Sequence, residues 1–312
     1  VLFFEGEFHR AQPIFHKRAA GFQNSAVDYS VYGHTVGATF WQAHALSSLG
    51  LIAYLLGNYS EAKRRLHQVI ALREQTGEVR FRAFNHGLLA RVLEMNGDDQ
   101  GAEEQARTAL RLSQSCGDQI GIASARLALS RGEAAAGRYT LSQEHCRQSL
   151  AMGRLSGNHH LLMDSLIQLG YIDLALGQPA NAKAHFEEAI AAFVALETAH
   201  SNRVGAALLG LGWTALAMGD DSQAEHFFQE ALRARGCTAW ETMDAHAGLA
   251  QVLAATGRIE AAVERCTRVL QAHATAHATR VCIQKLIAQL QAAELPNRSL
   301  SLSHLAQPLI PA

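Results

Sequence analysis

A glycine that recurs about every 40 residues is the feature of this 312-residue sequence that most constrains its fold. Each of these glycines is followed five residues later by alanine or serine, and from residue 57 to residue 257 they lie 40, 40, 40, 42 and 38 positions apart. Such a period is typical of a chain built from stacked, self-similar units. The pairs are Gly6/Ala11, Gly57/Ala62, Gly97/Ala102, Gly137/Ser142, Gly177/Ala182, Gly219/Ala224 and Gly257/Ala262.

Each unit has the pattern of two helices that meet at the glycine. Around Gly177, apolar residues recur at three- and four-residue steps both before it, in 166–176, and after it, in 182–190. This predicts two amphipathic helices, with the glycine ending the first because it tolerates a left-handed backbone. Residues suited to begin a helix follow three of the glycines, at Asn58, Asp98 and Asp220. A second set, predicted to end the second helix, is Gly77, Gly117 and Gly157.

The alanine or serine five residues after the glycine is predicted to lie where the two helices cross. A short side chain is needed there because the helix backbones approach closely. Phe186 and Phe228 stand four residues further on, where they would fill the gap toward the following unit.

These residues together resemble a tetratricopeptide repeat. The resemblance is carried by Leu169-Gly170, Gly177, Ala182, Phe186 and Ala189, and the same offsets recur in 49–62 and 211–231. The period exceeds the roughly 34 residues typical of the family, which indicates that each helix is lengthened. The sequence departs from the family pattern at Ser130, Glu133, Cys146 and Cys266. The resemblance implies an all-α, right-handed superhelical solenoid of antiparallel helix hairpins.

The turns Thr76-Gly77-Glu78, Cys116-Gly117-Asp118 and Ser156-Gly157-Asn158 suggest a narrower resemblance. With the long period, they resemble the sensor domains of MalT-like bacterial transcription regulators, in which an ATPase module precedes the repeats and a helix-turn-helix follows them. The opening residues from Val1 have the pattern of the last turn of a helix. We therefore expect a segment of a longer regulator.

The repeat divides the chain into five predicted parts. Residues 1–22 would be a truncated first repeat that supplies only a second helix, and 39–275 six helical hairpins. Residues 276–293 would be a capping helix, as solenoid ends require, and 294–312 a proline-containing tail or linker. Residues 23–38 are an insertion loop, which we interpret as a connector, with contact to a ligand as the alternative.

Composition and charge exclude several classes of function. The chain has 27 basic and 28 acidic residues, so it lacks the positive surface that direct binding of nucleic acid or an anionic membrane requires. No apolar run approaches the roughly 18 residues of a membrane span. Five scattered cysteines without a Cys-x-x-Cys pair encode neither a disulfide framework nor a zinc site, which indicates a reducing, cytoplasmic location.

No residue pattern for catalysis or for a cofactor is present in the sequence. Gly210-Leu211-Gly212-Trp213-Thr214-Ala215 matches a dinucleotide-binding pattern, but it lies in a predicted helix with no preceding strand, so close helix packing explains it better. His159-His160 and the pair His273/His277 have no acidic or cysteine partner at matching spacing, so we predict no metal site. We expect a protein that is not an enzyme and has no cofactor.

The candidate binding surface is the concave face, which the resemblance assigns to the first helix of each pair. Positions three, six and thirteen residues before each hairpin glycine place arginines on adjacent repeats and aromatic residues on others. Arginine binds carboxylates with two hydrogen bonds, and Tyr and Trp supply flat contact area. The alternative is that Tyr171 and Trp213 are packing residues and the arginines are solvated. The predicted binding residues are Tyr54, Arg91, Glu94, Arg131, Asp164, Tyr171 and Trp213.

The function that these residues favour is recognition of a protein or peptide with an acidic or C-terminal carboxylate group, by the regulatory domain of a larger regulator. Two alternatives stay open. The domain could sense a small-molecule effector through a change in solenoid curvature, or the chain could be a free-standing adaptor. Exposed solenoid ends also pair readily, so a homodimer through them is a further expected arrangement.

Overall fold

The computed structural model describes residues 8–23, 29–31, 34–36, 38–194, 204–234, 237–272 and 277–293. These contain fourteen α-helices and one two-stranded hairpin. The residues around Val1, the tail 294–312 and His273 lie outside the described residues. The helices are α1 (Phe8–Gln23), α2 (Ala38–Leu55), α3 (Tyr59–Gln75), α4 (Val79–Met95), α5 (Asp99–Ser115), α6 (Gln119–Ala135), α7 (Tyr139–Ser156), α8 (His159–Ala175), α9 (Pro179–Val194), α10 (Val204–Ala217), α11 (Asp221–Arg233), α12 (Ala239–Ala255), α13 (Ile259–Gln271) and α14 (His277–Ala293).

The helices form an all-α solenoid of antiparallel hairpins, closed at its C-terminal end by α14. Each helix packs against its neighbours in the sequence. The nine glycines predicted to end helices from Gly57 onward all have positive φ, between 62° and 77°. This left-handed backbone lets each helix stop within one residue, because glycine has no Cβ to clash there.

Side chains at the helix starts satisfy backbone N–H groups that have no partner within the helix. Five of them accept a hydrogen bond from the N–H three residues on: Asn58, Asp98, Asn158, Asp220 and Thr238. The prediction of helix starts at Asn58, Asp98 and Asp220 is thus confirmed. Glu78 and Asp118 pair with Arg73 and Arg80 instead of capping their helices.

A short β-hairpin lies within the predicted insertion loop. Tyr29–Val31 pairs antiparallel with His34–Val36, with Tyr29 opposite Val36. β-Branched and aromatic residues favour this extended conformation. The repeat period does not reveal it, because the hairpin belongs to the one interval that breaks the period.

The predicted helix crossings are tightly packed around small residues. Phe186 lies between α8 and α10 because both present a glycine to its ring: a methyl group at Gly170 or Gly210 would come within 2.6 or 2.2 Å of it. The dinucleotide-like pattern at residues 210–215 is therefore a packing surface. The arrangement recurs one repeat later with Phe228, Gly212 and Gly248. The small crossing residues are all buried: Ala62, Ala102, Ser142, Ala182, Ala224 and Ala262.

The apolar core is thin in the middle of the described chain. One cluster of buried apolar residues spans 11–102, and two others span 123–207 and 174–290. Between them lies a cluster of only three buried residues, Ala90, Ala106 and Leu129. Hydroxyl groups supplement the packing nearby, where Ser130 Oγ and Ser142 Oγ are 3.0 Å apart.

The solenoid curves far enough for its last helix to meet its second hairpin. α14 packs on α12 and α13 and also contacts α4. A methyl group at Gly97, in the turn after α4, would lie 2.6 Å from Cγ of His277. The inner surface is therefore enclosed on the side where α14 meets α4.

Candidate functional site

The even-numbered helices line the inner surface of the solenoid. Contacts between alternate helices join α2 to α4, α4 to α6, and so on to α14. Alternate helices approach each other only on the side toward which a solenoid curves, so this is the concave face. We call the space that these helices enclose the lumen.

Arg91 occupies the centre of the candidate site. Its guanidinium carbon lies 5.6 Å from the centroid of the Tyr54 ring, on the preceding inner helix. Its Nη1 is 3.9 Å from Oδ2 of Asp164, two inner helices further along. The pair spans the lumen past α6, and both side chains keep partial access to solvent, at 28% and 22% exposure.

Two polar atoms at this centre are buried, and apart from the contact between their own two side chains they have no hydrogen-bond partner in the described part of the chain. They are Nε of Arg91 and the hydroxyl oxygen of Tyr54. Buried polar groups are nearly always satisfied, so a pair that relies on this one contact marks a place where a further polar group fits. Both groups can donate to an anion.

The two arginines of the site raise the local positive potential. Arg131 Nε donates to Oε2 of Glu94 at 3.1 Å. Burial lowers the Arg131 pKa, and the charge of Arg91 lowers it further. Burial would also lower the Arg91 pKa, but the nearby Tyr54, Glu94 and Glu241 outweigh that effect and raise it. Both guanidinium groups are positive at neutral pH.

Two acidic residues of α12 lie near Tyr171. Tyr171 is partly buried, and its ring stands edge-on to Phe186 with centroids 5.3 Å apart. Burial raises the Tyr171 pKa, and so do Asp244 and Glu241 on α12. The hydroxyl therefore stays protonated and can act as a hydrogen-bond donor or acceptor.

Trp213 does not present its ring to the lumen. It is fully buried, with its ring edge-on to Phe228 at a centroid distance of 5.0 Å. Its indole N–H donates to Oδ2 of Asp244 at 3.1 Å, and the Thr279 hydroxyl donates to Oδ1 of the same carboxyl at 3.1 Å. In this structure Trp213 is therefore a packing residue, which is the alternative interpretation given above.

The structure thus brings five of the seven predicted residues into one connected cluster, and Tyr171 lies two helical turns from Asp164 on α8. We call this cluster the arginine site; it consists of Tyr54, Arg91, Glu94, Arg131 and Asp164. Sequence reasoning did not select Glu241, although the Thr238-x-x-Glu241 pattern that begins α12 is a recognisable capping box. Phe84 stands thirteen residues before Gly97, in the set predicted to line the concave face; it was not among the predicted binding residues, and it is 57% exposed.

The described residues offer neither a metal site nor a membrane-spanning helix. They contain no group of three or more His, Cys, Asp or Glu side chains able to hold a metal ion. None of their helices combines the length and the apolar character that crossing a membrane requires.

Family models match a large part of the chain. Residues 121–195 and 166–235 match one model and residues 42–76 match another, and both describe a tetratricopeptide repeat. No curated protein matches the chain.

Several solved structures share its fold. NprR in complex with its cognate peptide NprX has a TM-score of 0.69 at 11% identity, covering 99% of this chain and 83% of that one. A Rap protein complexed with competence and sporulation factor has a TM-score of 0.68 at 11% identity, covering 95% and 78%. The Rap conjugation gene regulator of plasmid pLS20, in complex with the Phr* peptide, has a TM-score of 0.64 at 13% identity. The match covers 87% of this chain and 73% of that one. At these identities the likeness is one of fold.

Proposed function

We propose that the chain, whose residues 42–76 and 121–235 match tetratricopeptide repeat models, is a non-catalytic peptide-recognition domain of a larger bacterial signalling or transcription regulator, acting in the cytoplasm. The peptide lies in the lumen and places a carboxylate on the arginine site. The observation that carries this proposal is the buried pair of Arg91 Nε and the Tyr54 hydroxyl, which have no partner besides each other among the described residues.

A carboxylate fits this place chemically. Arg91 offers Nε and a terminal nitrogen in the parallel arrangement that carboxylates bind with two hydrogen bonds. Its separation from Asp164, 3.9 Å, exceeds hydrogen-bond length, so Arg91 keeps capacity for a further acceptor. Arg131 adds positive charge, while Glu94 holds its guanidinium in place.

The charges also limit what binds. Asp164 and Glu94 lie beside the arginines, so a second negative group in the ligand would meet repulsion. The site therefore suits one carboxylate, either the C-terminus of a peptide or a single Asp or Glu side chain.

The solved structures of similar fold support a peptide as the ligand. Three of them, NprR and two Rap proteins, are complexes with peptides or a signalling factor. A superhelix whose inner helices form one continuous surface suits an extended chain, which exposes its backbone and alternate side chains along its length.

The test is Arg91→Gln, which removes the charge and keeps most of the side-chain volume. We expect binding of pools of synthetic hexapeptides with free C-termini, measured by fluorescence anisotropy, to weaken by about tenfold or more. Arg107→Gln on α5, where the arginine is 57% exposed on the outer side, is the matched control and should bind normally. Unchanged binding by the Arg91 variant, with the fold intact by circular dichroism, would contradict the proposal.

A small-molecule effector is the second candidate, and the narrow cross-lumen distance between Arg91 and Asp164 favours it. Free amino acids and dicarboxylates that raise the melting temperature, where hexapeptide pools do not, would select this alternative. A free-standing adaptor would use the same site. The gene sequence on either side of this segment would distinguish an adaptor from a domain of a regulator.

A further inference from the structure

We propose that Phe84 forms a second contact point for the peptide, so that the ligand carries a large apolar residue about three residues away from the carboxylate held at Arg91. This inference rests on the proposed function. It adds a requirement on the sequence of the peptide, namely the spacing between its apolar residue and its carboxylate, which peptide binding alone does not imply.

Phe84 is an unusually exposed aromatic residue. It is 57% exposed, and Phe81, one turn earlier on α4, is 41% exposed. Large apolar side chains are mostly withdrawn from water, and a group of them on a surface marks a place where apolar groups are contacted.

Phe84 and Arg91 lie on the same face of α4. They are seven residues apart, which is close to two helical turns, so both side chains point toward the lumen side of the helix. Seven residues correspond to about 10.5 Å along the helix axis. An extended peptide advances about 3.3 Å per residue, so three residues span this distance.

The ring of Phe81, one helical turn before Phe84, is held firmly by its neighbours. The guanidinium carbon of Arg73 lies 4.6 Å from the centroid of the Phe81 ring and 5.8 Å from that of Phe40. Phe40 and Phe81 are edge-to-face with centroids 5.6 Å apart. Arg73 is itself buried and paired with Glu78. The residue held in this way is Phe81, so it presents a fixed apolar surface one helical turn from Phe84 to a ligand that contacts Phe84.

The occupant is the apolar side chain of the same peptide. Arg91 sets where the carboxylate lies, and α4 then places Phe84 at a fixed distance along an extended chain. A peptide with a charged or very small residue at that distance would leave the exposed rings uncovered and lose the apolar contribution.

The experiment uses positional-scanning hexapeptide libraries with the complete chain. One library has free C-terminal carboxylates, and a second has amidated C-termini with one fixed internal Glu. We expect enrichment of Phe, Leu, Ile or Met three residues from the carboxylate-bearing residue. The library that is enriched distinguishes a terminal carboxylate from that of a side chain.

The variant Phe84→Ser tests whether Phe84 contacts the apolar side chain of the peptide. The variant should bind the best selected peptide about tenfold more weakly, and it should no longer distinguish that peptide from one with Gly at the apolar position. Leu155→Ser is the matched control, because Leu155 is 82% exposed at the end of the outer helix α7. Both positions are exposed, so the melting temperature should be unchanged.

The outcomes separate the two proposals. If neither library yields any enriched peptide, peptide recognition itself is wrong. If peptides are enriched without a fixed apolar spacing, or if Phe84→Ser keeps the full preference, the Phe84 contact is overturned while peptide recognition at Arg91 stands.

Discussion

Asp244 illustrates how one residue of the inner face serves the core of the solenoid. Burial raises its pKa to about 6, although hydrogen bonds from Trp213 and Thr279 act in the opposite direction. The carboxyl joins three helices, since its partners lie on α10 and α14. Near neutral pH the native state therefore carries a buried charge whose solvation is incomplete.

This predicts a specific dependence of stability on pH. A pKa raised in the native state means that the stability contributed by protonated Asp244 is present below about pH 4 and is lost as the pH rises through about 6. Asp244→Asn keeps an acceptor for Trp213 and supplies a donor toward Thr279, so we expect it to raise the free energy of unfolding at pH 7.5 by about 1–3 kcal/mol. Urea unfolding at pH 5 and pH 7.5 measures the effect. Asp99→Asn on the exposed side of α5 is the control, and an equal gain in both variants would contradict the explanation.

Trp213 marks the limit of residue-level prediction from the sequence. Its distance from Gly219 correctly places it on an inner helix, but the same spacing describes Tyr171, which is only partly buried. The two residues differ in the side chains that contact them. For Trp213, α12 supplies Asp244 as the acceptor for the indole N–H, and Phe228 packs against the ring. Those contacts join different repeats, so local spacing cannot reveal them.

Helix pairs in the C-terminal half are packed by a phenylalanine against glycine. Phe186 and Phe228 each occupy a space that two inner helices leave open by lacking a Cβ. The sequence pattern correctly predicts the short crossing residues and the function of the two phenylalanines as fillers. It does not indicate that the partners are glycines of both flanking helices, because that depends on the rotation between repeats.

The element-scale prediction concerns Gly210→Ala. The added methyl group would lie 2.2 Å from Cε1 of Phe186, so ring and helix must separate, and we expect a loss of about 1–3 kcal/mol in the free energy of unfolding. Gly132→Ala on α6 is the matched control: nothing lies within 4 Å of its added methyl group. That variant should be neutral or stabilised by up to about 1 kcal/mol, because alanine favours the helix. Thermal unfolding measures the stability of both variants. An equal change in the free energy of unfolding for Gly210→Ala and Gly132→Ala would disprove the packing argument.

At the scale of the whole molecule, the thin core around Ala106 divides the solenoid into two better-packed parts. Only three buried apolar residues form the cluster between the N-terminal core and the core that begins at Ala123. Repeat proteins owe their stability to contacts between neighbouring units, so weak contacts there make local opening easier.

We therefore predict that amide hydrogens of α5 and α6 exchange at least about tenfold faster than those of α10 and α12. Hydrogen exchange followed by mass spectrometry, with peptides that cover each helix, measures this directly. The C-terminal half serves as the internal control, since its described helices share one buried cluster with members from Leu174 to Leu290. Uniform protection along the described helices would contradict the prediction.

The repeat period predicts a solenoid, its helix pairs and its turns, because these depend on residues close together in sequence. It does not predict the pair between Arg91 and Asp164 or the contact between α14 and α4. Both depend on how small rotations add up over several repeats, and a change of a few degrees at each step would move these residues apart.

The contact of His277 with Gly97 restricts how this chain can change length. Repeat arrays commonly gain or lose whole units by duplication and deletion, since each unit touches only its neighbours. In this molecule one unit more or one fewer would carry α14 away from the second hairpin and separate the two surfaces that now meet. Variation is therefore easier inside a unit, at exposed outer positions, than in the number of units.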